Sequence, residues 1–443
     1  MLHTNLSVNP EGHLTFAGMD TVRLCEKYGT PLLLLDEDRV RQNLRTYLRT
    51  MREVFGAGSF PCYASKALSF TGIYKIVAEE GAGVDLVSPG ELYTAARARF
   101  PLSRAFFHGN NKTDEDIRYA LEAGVGYFVV DNAEELAALE KLCQSRDTQQ
   151  KILLRLTPGI DPHTHAKIST GKVDSKFGVA IETGQAMELV RRTLDCPHIH
   201  LAGFHCHVGS QCFDSQPFID AAAIMLDFMA KVRDRFGLTA DILNLGGGYG
   251  VRYVDAHPSI DIADNIRLVA RRIRETCAAL SFPQPRILLE PGRSIVADAG
   301  LTLYTCGSVK TIPGYKSYVS VDGGMTDNPR YALYQAPYTV LNASCAAAPA
   351  DLTATIAGRC CESGDLIQEN VTLPTPARGD RIAVLVTGAY NYSMASNYNR
   401  IPRPPIVLLH DGQDRLAVRR ESFAAAADFL AANCFFLFFA SFP

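Results

Sequence analysis

The clearest pattern in the sequence is an alternation of short apolar runs with longer segments of helical spacing. In residues 37–55 the apolar positions Val40, Leu44, Leu48 and Met51 recur every three or four residues, which predicts an amphipathic helix. From residue 60 onward the apolar runs are short and are bounded by glycine, proline or charged residues, which is typical of buried strands. We predict eight such strands, near residues 60–65, 83–87, 105–108, 127–130, 152–156, 201–206, 242–245 and 287–290.

Helical patterns separate these predicted strands, at residues 91–98, 114–123, 133–143 and 218–236 among others. Eight strands alternating with helices over about 250 residues have the length and the element order of an α/β fold, the parallel (β/α)8 or TIM barrel. The competing architecture is a doubly wound open sheet, which usually carries a glycine fingerprint after its first strand. The sequence has no such fingerprint there, so we predict a barrel domain over residues 36–290.

Beyond residue 291 the pattern changes to short β-rich runs separated by glycine, proline and aspartate. Examples are residues 318–321, 352–356, 382–386 and 406–409. Strand patterns also flank a short helical segment near the N-terminus. A chain of 443 residues is longer than a single domain with one hydrophobic core usually is. We therefore predict a second, antiparallel β domain built from residues 1–35 and 291–443.

Composition and charge restrict the function classes. The apolar fraction of 47% and charged fraction of 21% are those of a globular protein, and the formal net charge is −3. Without a basic block, we expect neither a nucleic-acid nor a membrane-surface partner. Twelve cysteines without a Cys-x-x-Cys pair or a regular spacing indicate a reducing, cytoplasmic compartment. We expect no secretory signal in residues 1–14, and the apolar run at 435–439 is too short to span a bilayer.

Polar residues follow the predicted strands, at the barrel end where catalytic groups lie. Lys66 follows the first strand, and it is either a solvated strand end or a reactive amine held in a pocket. The residues around it do not decide between these alternatives. In strand order, the residues that follow the eight predicted strands are Lys66, Ser88, His108, Asp131, Arg155, His207, Gly246 and Glu290.

The last three predicted strands carry the most distinctive groups. The glycine triplet at 246–248 is either a tight turn or a phosphate site made of backbone N–H groups. Glu290 and Arg293 form either a local ion pair or part of a binding site. His205 and His207 have no third ligand at metal spacing, so we predict no metal. A lysine amine, an aromatic ring, a phosphate-binding turn and a carboxylate together describe a pyridoxal phosphate site.

Short motifs in a fixed order extend these features across most of the chain. They lie at residues 63–67, 85–92, 108–112, 175–178, 205–211, 246–248, 290–293, 322–330, 361–365 and 388–390. In this order the chain resembles the fold-type III pyridoxal-phosphate decarboxylases, and within them most closely the diaminopimelate decarboxylases. The resemblance covers the chain except for its extreme N-terminus and the residues after about Phe423.

The resemblance implies a role for each matching residue. Lys66 would carry pyridoxal 5'-phosphate covalently, His207 would stack on its ring, and Glu290 would bind the ring nitrogen. A carboxylate there keeps the nitrogen protonated, which favours decarboxylation, whereas related racemases have an arginine at this position. The resemblance also implies cofactor contacts from Asp85, Ser210, Gly247, Gly248, Gly292, Arg293 and Tyr390.

The same resemblance implies the decarboxylation of meso-2,6-diaminopimelate to L-lysine and carbon dioxide. Arginine forks match the distal carboxylate of this substrate. The chain would act as a homodimer in which Cys361, the proton donor, and Glu362 reach the active site of the partner. The alternatives are a decarboxylase of ornithine, arginine or lysine, and a non-catalytic homologue. The substrate contacts implied are Arg293, Arg330, Tyr334, Glu362 and Tyr390.

Overall fold

The computed structural model describes residues 3–160 and 175–431, so the apolar run at 435–439 lies outside the described residues. The chain forms two compact units. The barrel unit comprises Arg41–Val251 and Pro258–Ile295, and the β unit comprises Met1–Val40, Arg252–His257 and Val296–Pro443. Within the described ranges, no helix is both long enough and apolar enough to cross a membrane.

The barrel unit contains eight parallel strands that close on themselves. Strand β8 pairs with β1, and β4 pairs with β5, so the sheet has no open edge between them. This closure confirms the predicted (β/α)8 barrel. The strands are β1 (Phe60–Ala64), β2 (Gly83–Leu86), β3 (Ala105–Phe107), β4 (Tyr127–Val130), β5 (Gln150–Thr157), β6 (Ile199–His205), β7 (Ile242–Asn244) and β8 (Arg286–Leu289).

Helices lie between the barrel strands and begin at residues suited to capping. Ser88 accepts a hydrogen bond from Glu91 N at the start of one helix, and Thr113 forms a capping box with Asp116. The helices are Glu37–Phe55, Thr71–Glu79, Pro89–Arg97, Asp114–Ala123, Ala133–Ser145, Gln185–Leu194, Gln216–Phe236, Ile262–Ala279 and Arg293–Val296, with 3₁₀ turns at Ser65–Ala67 and Leu102–Arg104 and a short strand at Val179–Ala180.

Side chains inside the barrel form layers because alternate residues of a strand point to the same face. A buried apolar layer consists of Cys62, Phe106, Val129, Leu153, Ala202, Ile242 and Leu288. Polar groups lie two residues after most members of this layer, at the carboxyl end of the barrel. They include His108, Asp131, Arg155, Asn244 and Glu290. The apolar layer therefore supports a buried polar layer, which is where a barrel carries its chemistry.

The β unit is a mostly antiparallel sheet, as predicted. Strand Leu32–Asp36, buried along its length, lies between Gly300–Ile312 and Ile406–His410, so the N-terminal segment is central to it. The other strands are Lys316–Val321, Val340–Asn342, Leu352–Ala357, Leu366–Leu373, Arg381–Leu385 and Gln413–Val418, with a separate sheet of Leu6–Val8, Leu14–Phe16 and Met19–Asp20. The helices are Thr21–Tyr28, Arg330–Tyr334 and Phe423–Ala431, and the 3₁₀ turns are Ala343–Cys345, Tyr392–Met394 and Tyr398–Arg400.

Candidate active site

Lys66 lies in the 3₁₀ turn that directly follows β1. Its Nζ donates a hydrogen bond to Asp85 Oδ2 at 3.3 Å. The Asp85 side chain is buried, whereas that of Lys66 is 43% exposed. The turn is held in place by Ser65, whose hydroxyl donates to Glu91 at 2.7 Å. The lysine amine is therefore positioned by a buried carboxylate and remains accessible to a small molecule.

Glu290 follows β8 and is held by three buried side chains. Asn244 Nδ2 donates to Oε1 at 2.7 Å, and His108 Nε2 lies 2.9 Å from the same oxygen. His205 Nε2 lies 3.0 Å from Oε2. The two imidazole rings meet edge to face, with centroids 4.9 Å apart. These contacts fix the orientation of the carboxylate.

The charges of these groups follow from their surroundings. Burial by itself raises the pKa of the Glu290 carboxyl, but the adjacent His108 and His205 hold that pKa well below its usual range. Burial lowers the pKa of His205 to about 4. At neutral pH a neutral His205 therefore donates from Nε2 to an anionic Glu290. Burial, together with the positive charge of Lys66, also lowers the pKa of His207, so that this ring is neutral.

The glycine triplet packs too closely against its neighbours for any other residue. A Cβ on Gly247 would lie 2.0 Å from the Glu290 carbonyl oxygen. A Cβ on Gly248, which has a φ of +126°, would lie 2.1 Å from the Gly209 carbonyl oxygen. Gly247 N donates to His207 Nδ1 at 3.2 Å. The triplet thus forms a backbone turn at the carboxyl end of β7, beside the His207 ring.

Hydroxyl and guanidinium groups lie at the same end of the barrel, from Arg293 after β8 and from Ser210 in the loop after β6. Arg293 is 6% exposed, and its Nη2 donates to Ser210 Oγ at 2.9 Å. Gln211 has a φ of +61° and makes two hydrogen bonds to the backbone of Val251, which hold this loop. A Cβ on Gly292 would lie 3.0 Å from Ala64 Cβ. Buried guanidinium, hydroxyl and backbone N–H groups are the donors that a phosphate requires.

The donor set of the barrel unit fits pyridoxal phosphate. The chain offers an amine for covalent attachment, an anionic carboxylate for the ring nitrogen, and donors for a phosphate. Asp85 Oδ1 is buried and accepts no hydrogen bond within the described ranges, so it has capacity for another donor. In the barrel unit the structure brings together the predicted residues Lys66 with Asp85, His207 with Gly247, and Arg293 with Ser210.

In the β unit, Arg330 is the most distinctive of the predicted residues. It begins a short helix, is 7% exposed, and lies 5.0 and 5.8 Å from the ring centres of Tyr253 and Tyr338. Its Nη1 donates to Tyr338 Oη at 3.0 Å. In the described part of the chain, no carboxylate lies within ion-pair distance of this guanidinium. A buried guanidinium without a carboxylate partner has the capacity to bind an anion.

The remaining predicted residues of the β unit differ in exposure. Tyr390 has a φ of +60°, a strained conformation for a bulky residue, and such strain is common at functional sites. Tyr334 is half-buried, and Cys361 and Glu362 are exposed. Adjacent Cys360 is buried, and burial raises the pKa of its thiol to about 12. Of the two neighbouring thiols, Cys361 is the accessible one.

The chain is similar to known decarboxylases over nearly its whole length. The family model described as pyridoxal-dependent decarboxylase, pyridoxal binding domain, matches residues 41–297. A diaminopimelate decarboxylase of Bacillus subtilis (strain 168) is 44% identical over 422 residues, or 95% of this chain and 96% of that protein. This chain belongs to the diaminopimelate decarboxylase family.

Solved structures agree with membership of the diaminopimelate decarboxylase family. The diaminopimelate decarboxylase of M. jannaschii in complex with L-lysine has a TM-score of 0.89 and 33% identity, covering 96% of this chain and 98% of that one. A lysine/ornithine decarboxylase from Vibrio vulnificus complexed with putrescine has a TM-score of 0.74 and 25% identity, covering 91% and 99%. The fold is thus shared with decarboxylases of related amino acids.

The sequence prediction assigns no role at Glu290 to the three residues that surround it. It gives His205 only as a candidate metal ligand, places His108 at a strand end without a role, and does not include Asn244. The signal was present, because His108 and Asn244 each follow an inward-facing core residue by two positions. In this chain these two positions can thus be recognised from the barrel layers.

Proposed function

We propose that this chain catalyses the pyridoxal-phosphate-dependent decarboxylation of meso-2,6-diaminopimelate to L-lysine and carbon dioxide. The observation that carries the proposal is the buried, anionic Glu290 at the same end of the barrel as an accessible lysine amine, in a chain of this family. A carboxylate in this position favours a protonated ring nitrogen. Pyridoxal phosphate, when bound, supplies an electron sink for the electron pair that remains on the α-carbon as carbon dioxide leaves.

Residues of the barrel unit would hold and tune the cofactor. Lys66 would attach it covalently, and Asp85 would orient this amine by accepting its hydrogen bond. His207 would offer the face of a neutral ring, which stacks without adding a charge. The phosphate would be bound by Ser210, Gly247, Gly248, Gly292 and Arg293, and by Tyr390 of the β unit.

The distal end of the substrate explains the other predicted residues. meso-Diaminopimelate carries a carboxylate and an ammonium far from the reacting carbon. The buried guanidinium of Arg330 suits the carboxylate because an arginine fork binds it bidentately. Ornithine and lysine have no distal carboxylate and would leave this cation without a carboxylate partner. We therefore propose substrate contacts from Arg330, Arg293, Tyr334, Glu362 and Tyr390.

We further propose a homodimer in which Cys361 and Glu362 act in the active site of the partner. The α-carbon must receive a proton on one defined face, and a positioned thiol can deliver it. The exposure of Cys361 supports this role. In this proposal residues 36–290 bind the cofactor and residues 1–35 and 291–443 complete the site. The eleven described cysteines are all free, which supports work in the cytoplasm.

The test is product analysis in deuterium oxide. Holoenzyme incubated with meso-diaminopimelate is expected to release carbon dioxide and lysine in equal amounts, with one deuterium bound to the ε-carbon of lysine, the carbon that lost the carboxylate. The Lys66→Ala variant is the matched control and is expected to form no lysine. Decarboxylation of ornithine without any conversion of meso-diaminopimelate would contradict the proposal.

A further inference from the structure

The amino ends of the barrel strands enclose a cavity that the reaction does not use. It has a volume of about 170 Å³ and is lined by Phe60, Arg104, Phe106, Tyr127 and Arg286, among others. Phe60, Tyr127 and Arg286 are the first residues of β1, β4 and β8. The cavity therefore lies at the barrel end opposite Lys66 and Glu290.

The two-residue period of the strands places this cavity on the other side of the apolar layer from the polar site. Arg104, Phe106 and His108 succeed one another at spacing two, and so do Arg286, Leu288 and Glu290. Phe106 and Leu288 belong to the buried apolar layer, with Phe60 and Tyr127 packed against it. The cavity and the active site are thus separate spaces on opposite sides of one apolar layer.

The flat aromatic side chains that line the cavity, together with its volume, suit a ligand with a single ring. The rings of Phe106 and Tyr127 stack with centroids 4.6 Å apart and planes 6° apart. Phe60 adds a third ring, and Leu288 and Ile242 complete the apolar lining. A cavity of about 150 Å³ lined by apolar residues is known to bind benzene. A ligand with one six-membered ring therefore fits the space.

The cavity is bordered by positive charge. The Arg104 guanidinium lies 4.9 Å from the centre of the Phe60 ring and donates to the Gly81 carbonyl oxygen. Lys151 Nζ lies 5.9 Å from the centre of the Tyr127 ring. Asp241 is an acidic residue at this end, and its carbonyl oxygen accepts a hydrogen bond from Arg286 N. Across the described residues, neither Arg104 nor Arg286 forms an ion pair with a carboxylate.

We propose that this cavity is a second binding site, for a small carboxylate that carries a single flat ring. The ring lies against Phe106 and Tyr127, and the carboxylate pairs with the guanidinium groups of Arg104 and Arg286. Arginine recognises carboxylates through two parallel hydrogen bonds and also stacks on aromatic faces, so both parts of the ligand are matched.

The test uses 4-fluorobenzoate as the probe, with holoenzyme and ¹⁹F NMR titration. L-Lysine at saturating concentration keeps the probe out of the active site. Binding is expected to persist with lysine present and to weaken about tenfold in Arg104→Gln and in Arg286→Gln. The matched control Arg271→Gln, an exposed arginine of helix Ile262–Ala279, is expected to bind as the unmodified enzyme does.

A second measurement needs no variant. Neutral 4-fluorobenzyl alcohol is expected to bind the unmodified holoenzyme about tenfold more weakly than 4-fluorobenzoate, because it lacks the charge that the arginines recognise. The proposal is overturned if the two probes bind equally, if lysine displaces 4-fluorobenzoate, or if both arginine variants keep the full affinity.

Discussion

Replacement of Arg330 by glutamine tests the proposed substrate site. The guanidinium is 7% exposed and has Tyr338 as its hydrogen-bond partner, with no carboxylate within ion-pair distance in the described ranges. If it binds the distal carboxylate, the variant leaves that carboxylate buried and unpaired. Removal of one partner of a buried charge pair costs about 2–5 kcal/mol. We therefore expect kcat/KM for meso-diaminopimelate to fall by roughly 30- to 4000-fold.

The assay is the initial rate of carbon dioxide release from meso-diaminopimelate with saturating pyridoxal phosphate. Arg330→Lys keeps the positive charge but loses the planar guanidinium that binds a carboxylate bidentately. Its kcat/KM is therefore expected to lie between those of the unmodified enzyme and Arg330→Gln. Arg378→Gln, an exposed arginine of the β unit, is the control and is expected to match the unmodified enzyme. Thermal unfolding confirms that each variant is folded. A kcat/KM for Arg330→Gln within about threefold of the unmodified value would refute the reasoning.

Three further outcomes follow from the site. Lys66→Ala is expected to lose nearly all turnover, and borohydride reduction of the unmodified holoenzyme should place the pyridoxyl group on Lys66, as peptide mass spectrometry can check; modification of Lys112 instead would contradict this. Mixed Lys66→Ala and Cys361→Ala chains are expected to regain activity through heterodimers, and no recovery despite subunit exchange would exclude a shared site. The pKa of His205 is about 4 in the folded state and 6.5 in an unperturbed histidine. The contribution of the neutral ring to the free energy of unfolding is therefore fully present above pH 6.5. Stability should fall by about 3 kcal/mol at most as pH drops from 6.5 to 4, and a thermal unfolding series should show a flatter profile in His205→Asn.

The barrel could be predicted from the sequence because its strands are short apolar runs bounded by turn residues. Closure of the sheet in the structure, through pairing of Phe60–Ala64 with Arg286–Leu289, agrees with the predicted strand count. Glu290 could also be identified, because it follows a strand in a recognisable motif. These features are local in sequence, and local patterns specify them.

The partners of Glu290 were harder to identify because their positions depend on strand register. A bulge between Leu201 and Gly203 changes the alternation along Ile199–His205, so spacing alone does not show where His205 points. His205 and Glu290 are 85 residues apart and meet only after the barrel closes. The burial of Arg330 likewise depends on Tyr253 and Tyr338. Because Tyr253 is far from Arg330 in sequence, local patterns do not predict this contact.

The most direct test of the proposed function is the ratio of kcat/KM for meso-diaminopimelate to that for L-ornithine, measured by carbon dioxide release under identical conditions. The buried guanidinium of Arg330 predicts a preference of at least about 30-fold for meso-diaminopimelate, which corresponds to the lower limit for an unpaired buried charge. Equal values for the two substrates, or a preference for L-ornithine, would contradict the assignment of this chain as a decarboxylase of meso-diaminopimelate.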